Sequence, residues 1–251
     1  IALVINFKKN EDIHIRFKGF RLEREIVGMI YKIGVPSMIM QAIGSVMTYG
    51  MNLILISFTP TATAVFGVYF KLQSFIFMPV FGLNNGLVPI LAYNYGAGRR
   101  DRFIQAMKCA ILYAVCIMVI GVVIFQTIPA VLLGFFEASD EMLRIGVPAL
   151  RVICISFLPA AFGIVCGTAF QALGNAVYSM FVSIARQLVV LLPAAYLLAL
   201  SGEVTYVWWA FPIAEVMSLA MTVIFLIRVN SRVIRHIGEE AKERPGADAV
   251  S

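Results

Sequence analysis

Four stretches, Ile33–Phe70, Leu72–Gly98, Cys109–Phe136 and Val152–Ala185, contain no Asp, Glu, Lys or Arg. Each is longer than the ~20 residues that carry an α-helix across the hydrocarbon core of a bilayer. A helix on a water-soluble domain needs a charged or polar side, and runs of this kind cannot supply one. Composition agrees. Hydrophobic residues make up 61% of the 251 and charged residues 14%, against roughly 45–50% and 25% in soluble domains. The chain is read as an all-α, polytopic membrane protein, and a soluble domain with a very large core is set aside.

The net charge of +6 invites a nucleic-acid reading, and its distribution removes it. Basic residues gather before the first run (Lys8, Lys9, Arg16, Lys18, Arg21, Arg24, Lys32), around Arg99, Arg100, Arg102 and Lys108, and in the tail (Arg228, Arg232, Arg235, Lys242, Arg244). The alternate connections hold Glu137, Asp140, Glu141 and Glu203, with Arg144 the one basic residue. Such alternation follows the positive-inside rule and predicts a multi-pass membrane protein with both ends cytoplasmic. Cys109, Cys116, Cys154 and Cys166 lie singly in apolar runs and read as small buried thiols. His14 and His236 have no metal-ligand spacing, and no enzyme motif stands out, so neither a metal site nor a catalytic role is expected.

Six spans are predicted, at about 27–58, 63–95, 102–127, 142–173, 176–200 and 206–229. They form a lobe over 27–229, followed by a cytoplasmic tail at 230–251. Residues 1–7, IALVINF, are apolar and run straight into Lys8-Lys9. That order is the reverse of a signal peptide and reads as the end of a preceding transmembrane helix. The chain is therefore expected to be a fragment. Residues 8–26 make a cytoplasmic link, either lying on an anionic leaflet or solvated. A weak repeat places KLQSFIFMP (71–79) on RVICISFLP (151–159), in two spans that cross in the same direction.

Polar residues inside the spans are not scattered. Gly34, Ser37, Gln41, Ser45, Thr48 and Asn52 recur at three- and four-residue steps and share one face of the first span. Lys71, Ser74, Met78, Gly82, Asn85, Pro89, Ala92 and Gly96 do the same on the second. Lipid would penalise unpaired Gln41 or Asn52 by several kcal/mol, so these faces look at protein or water. Interhelical hydrogen bonding is one use, worth only ~0.6 kcal/mol per contact; lining a substrate cavity is the other. The cavity candidates are Gln41, Ser45, Thr48, Asn52, Lys71, Met78, Asn84 and Asn85. Pro79, Gly82, Gly86 and Pro89 are candidate hinges, since proline removes a backbone donor and glycine admits a close neighbour. Phe- and Met-rich surroundings suit flat, amphiphilic, cationic compounds.

Ionisable groups at membrane depth are expensive and default to functional candidates. They are Lys71, Arg151, Arg186 and Glu215. The Ser201-Gly202-Glu203 turn makes the fifth and sixth spans antiparallel neighbours, so Arg186 and Glu215 are expected to form a structural charge pair. The sharper alternative gives Glu215 a proton-coupling role.

VPSMIMQAIGSVMTYGMNLIL (35–55) and AVFGVYFKLQSFIFMPVFGLNNGLVPILAYNYGAGRRDR (64–102) resemble the multidrug and toxic compound extrusion (MATE) transporters, in particular their MepA-like bacterial branch. The resemblance covers nearly the whole chain and is densest over 30–105. It implies the C-terminal six-helix lobe of a twelve-helix, cation-coupled antiporter, with H⁺ or Na⁺ as coupling ion and no other cofactor. Its partners would be small-molecule drugs, the bilayer and an N-terminal six-helix lobe of the same protein. Some family members carry an acidic residue near the position of Gln41 and an aspartate near that of Phe162; neither is acidic here. The coupling carboxylate is therefore expected in the other lobe. A lipid-linked-precursor flippase of the same superfamily and a self-contained six-helix channel or assembly subunit remain as alternatives.

Overall fold

The structure, a computed structural model, describes residues 23–237. Residues 1–7, most of the 8–26 link and the tail from 238 onward lie outside the described residues. The chain divides into two units, 1–35 and 36–251. In the first, the chain is helical from Arg24, and Ile26, Ile30 and Tyr31 are exposed.

The second unit is all helix among the described residues. Helix α1 (Arg24–Ile56) runs on into it, followed by α2 (Pro60–Gly96), α3 (Arg100–Thr127) and a short α4 (Pro129–Gly134). Then come α5 (Asp140–Ile153), α6 (Phe157–Ala172), α7 (Ala176–Ile184), α8 (Leu192–Ala199), α9 (Val204–Val207) and α10 (Ala210–Arg232). Among the described residues, six segments are long and apolar enough to cross a membrane: Met38–Ile56, Pro60–Gly96, Arg100–Thr127, Asp140–Ala172, Ala176–Ala199 and Val204–His236. The expected six-span bundle is present. The short α4 was not anticipated; Pro129 starts it at a position where a missing N–H costs nothing.

The turns follow from local chemistry. Thr59 caps α2 by accepting from the Thr61 amide, and Ser139 caps α5 by accepting from the Met142 amide. Both Thr59 and Thr61 donate to the Glu141 carboxylate, tying the α1–α2 turn to the start of the fourth span. The α2–α3 and α6–α7 turns share one geometry. Arg99 N–H bonds to the Asn94 carbonyl and Asn175 N–H to that of Phe170, with Gly98 and Gly174 at φ 66° and 74°. These are Schellman ends, and only glycine takes that backbone without strain.

Prolines act differently from span to span. Pro159 has no N–H for the Ile155 carbonyl, and a 3₁₀ turn, Cys154–Ser156, interrupts the fourth span just ahead of it. Gln126 of α3 donates there to the Arg151 carbonyl at 2.9 Å and to Cys154 Sγ at 3.2 Å. Pro193 likewise follows a π-turn, Ala185–Leu191, in the fifth span. By contrast α2 runs unbroken through Pro79 and Pro89.

Close helix approach holds the unit together, as expected where lipid removes any hydrophobic gain from helix association. A Cβ on Gly121 of α3 would lie 2.5 Å from Ile76 of α2. One on Gly50 of α1 would lie 2.8 Å from Leu192 of α8, and one on Gly146 of α5 at 2.8 Å from Leu133 of α4. Phe157 anchors the core, edge-on to both Phe77 and Phe125. Phe77 and Phe157 occupy matching positions of the weak repeat.

Candidate functional site: an open polar face and a buried ion pair

Helix α2 has two opposite faces. Val65, Tyr69, Leu72, Val80, Leu87 and Leu91 are buried against the rest of the unit. Half a turn away, Lys71, Ser74, Met78, Gly82, Asn85, Pro89, Ala92 and Gly96 are all exposed. Met78 is 70% exposed and its neighbour Phe75 74%. A Cβ on Gly82 or Gly86 would meet nothing within 4 Å. Two hollows lie along the helix, the first on this side and the second toward α3. One, about 370 Å³, is lined by Lys71, Ser74, Phe75, Met78 and Phe136. The other, about 380 Å³, is lined by Pro89, Ile90, Tyr93, Asn94 and Arg102.

The two adjacent asparagines part company. Asn85 stands on the open face, whereas Asn84 is buried on the packed face and its Oδ1 has no hydrogen-bond partner. Asn84 is thus placed away from the other cavity candidates, because one residue turns a helix by about 100°. The hinge candidates Pro79, Gly82, Gly86 and Pro89 lie on the open face of a continuous helix.

On α1 the buried ridge is Ile43, Met47, Met51 and Leu55. Gln41 and Ser45 are exposed, and Thr48 and Asn52 are half-buried beside that ridge. Thr48 donates to its own Gly44 carbonyl at 2.9 Å. The polar stripe therefore borders the packed face, and Val46, Tyr49 and Leu53 make the exposed apolar side.

Arg186 donates through Nη1 to Glu215 Oε1, forming an ion pair between the fifth and sixth spans. Glu215 is 8% exposed and continues into Ser218 and Thr222, both buried on the same face of α10. Arg186 sits in the π-turn, next to a buried Gln187. Tyr69 of α2 is buried, with the rings of Phe66, Phe70 and Phe211 beside it. Sequence reading missed Tyr69 and Gln187: one looks like core, and the other gains its place from the π-turn. Among the described residues, no three His, Cys, Asp or Glu side chains gather as a metal site.

A lobe of six helical segments, each long and apolar enough to cross a membrane, defines a multi-pass membrane protein. Residues 36–197 match the MatE family over more than half of the chain, and the chain belongs to that family. The multidrug export protein MepA of Staphylococcus aureus (strain MRSA252) is 27% identical over 231 residues, 91% of this chain and 51% of its own length. Its counterpart in Staphylococcus haemolyticus (strain JCSC1435) is 26% identical over 227 residues. The chain spans about half the length of the curated relatives it matches. Two solved structures share the fold, the outward-facing and inward-facing conformations of a multidrug resistance MATE family transporter of the MOP superfamily. Their TM-scores are 0.81 and 0.76 at 20% and 22% identity, each covering 92% of this chain and 53% and 54% of theirs.

Proposed function

We propose that this chain is the C-terminal half of a cation-coupled multidrug antiporter in a bacterial cytoplasmic membrane, with both ends cytoplasmic. Its cargo is flat, amphiphilic compounds, cationic ones among them. The observation that carries the reading is the open face of α2, where polar and small residues stand exposed opposite the packed side. A face of that kind is costly against lipid and useful against a second lobe and a water-filled cavity. Gln41, Ser45, Thr48 and Asn52 of α1, with Lys71, Met78 and Asn85 of α2, supply this lobe's share of the cavity. Glu215 is the one carboxylate buried among the described residues, and Arg186 neutralises it. The coupling ion, H⁺ or Na⁺, is therefore assigned to a carboxylate of the other half, since driving force enters only where affinity differs between two states. A lipid-linked-precursor flippase calls for a more cationic cavity, and the pairing of Arg186 with Glu215 removes one of its three candidate cations.

The test uses the full-length transporter containing this chain, reconstituted in liposomes. An imposed proton or sodium gradient should drive ethidium export, and collapsing that gradient should stop it. Ethidium movement indifferent to both gradients contradicts the reading.

A further inference from the structure

Lys71 is the single charged side chain on the two polar stripes, and it is uncovered. Among the described residues its ammonium enters no ion pair. Glu137, next in sequence to Phe136, makes none with it. What Lys71 does touch is aromatic: its Nζ lies 5.7 Å from the centroid of the Phe136 ring. Phe136 reaches it from the turn after α4, where Glu137 adopts a left-handed backbone at φ 52°, an uncommon state for a residue with a side chain. The ammonium and that ring form part of the wall of the 370 Å³ hollow, which Phe75 and Met78 complete with apolar surface. The Ser74 hydroxyl donates back to the Phe70 carbonyl at 2.7 Å, so its hydrogen is already used. Lys71 is left as the free donor of the pocket.

A lone cation about 16 Å along α2 from Pro60, with no carboxylate to neutralise it, is costly to keep. The ring beneath it offsets part of that cost, since a cation over an aromatic face gains ~0.5–2 kcal/mol. A full negative charge would offset more, through a charge-assisted hydrogen bond shielded by the apolar wall. We infer that the Lys71–Phe136 hollow is a subsite for the acidic group of an exported amphiphile, a carboxylate, sulfonate or phosphate whose apolar body lies on Phe75 and Met78. Export is then not confined to cations. This inference rests on the cavity reading of the α2 face.

A matched probe pair isolates the charge: 1-anilinonaphthalene-8-sulfonate, and N-phenyl-1-naphthylamine, which has the same ring system without the sulfonate. Gradient-driven export of each, and of ethidium, is measured with full-length transporter in phosphatidylcholine liposomes, with protein-free liposomes subtracted. Wild type should export the sulfonate. Lys71→Gln should raise its half-saturating concentration about tenfold, the scale of one charged hydrogen bond. The readout is the ratio between probes: whatever loss the variant shares across all three compounds, the sulfonate should fall about tenfold further than the neutral probe and ethidium. Lys71→Arg should restore the sulfonate, and Phe136→Leu should weaken both naphthalene probes. Wild type that exports ethidium but not the sulfonate overturns the subsite. So does a Lys71→Gln defect equal for charged and neutral probes. A defect in Lys71→Gln that disappears when phosphatidylglycerol is added also overturns it, and assigns the hollow to lipid headgroups. If wild type moves none of the three compounds, the export reading itself fails, and that outcome is separable from all the others.

Discussion

Arg186 and Glu215 hold each other between the fifth and sixth spans, whereas Lys71, Ser74 and Asn85 stand exposed on a face of α2 where only Phe136 approaches Lys71. Both sets are polar, and both lie in segments apolar enough to cross a membrane. What separates them is satisfaction. The ion pair consumes its own charges, with Glu215 deep in the core and the Arg186 side chain 36% exposed, and needs no further partner. On the α2 face Lys71 meets only the Phe136 ring and has no counter-charge among the described residues, so a partner for it has to come from elsewhere. At membrane depth, then, a polar residue that is satisfied within its own lobe belongs to the scaffold. One that is unsatisfied and open is a candidate for work. Residue type alone does not make the distinction.

The largest effect is expected on the scaffold side. Glu215→Gln leaves a half-buried arginine without its counter-charge, and breaking a fully buried pair costs about 3–5 kcal/mol. The partial exposure of Arg186 places this case toward the lower end. Full-length protein should lose thermal stability in detergent and yield at the membrane, and Arg186→Gln with Glu215→Gln should recover part of both. Whatever single variant survives should still export in response to a cation gradient. A stable Glu215→Gln protein that binds drug but ignores the gradient would move Glu215 from the scaffold to the motor and erase the contrast.

A smaller effect compares glycines across the two faces of α2. Gly121→Ala of α3 drives a methyl into Ile76 on the packed face of α2, and overpacking of this kind costs about 1–3 kcal/mol. Gly82→Ala and Gly86→Ala meet open space on the uncovered face and should hold or slightly raise thermal stability, because alanine is the better helix former. Thermal-shift measurements on the three variants decide it. Equal destabilisation by all three would mean that the α2 face is packed after all.

Much of this architecture was legible in the residues. Charge-free runs located the spans, because a bilayer leaves a long uncharged helix few alternatives. The Ser201-Gly202-Glu203 turn between the last two spans was legible too, and Gly202 takes φ 80° there. The interruptions were not legible. Pro79, Pro89, Pro159 and Pro193 look alike in sequence, yet the helix passes through the first two and departs from α geometry around the others. Whether a freed carbonyl is absorbed depends on neighbours such as Gln126, which come from another span. The candidate site was half legible. Three- and four-residue spacing identified the α2 stripe and placed Asn85 on it. Reading Asn84 together with Asn85 ignored the turn between consecutive helical residues. Phe136 was passed over because its link to Lys71 runs through tertiary structure.

The adjacent asparagines give the most direct test that the open face works while the packed face only holds. Asn84→Leu, Asn85→Leu and Gln41→Leu are compared in the full-length transporter for membrane expression and for resistance across a drug panel. Asn84→Leu removes a buried oxygen with no partner, so it should express as well as wild type or better and leave resistance unchanged. Asn85→Leu and Gln41→Leu should also reach the membrane normally, yet shift resistance severalfold for some compounds. Wild-type resistance in both open-face variants, or altered resistance confined to Asn84→Leu, would contradict the account.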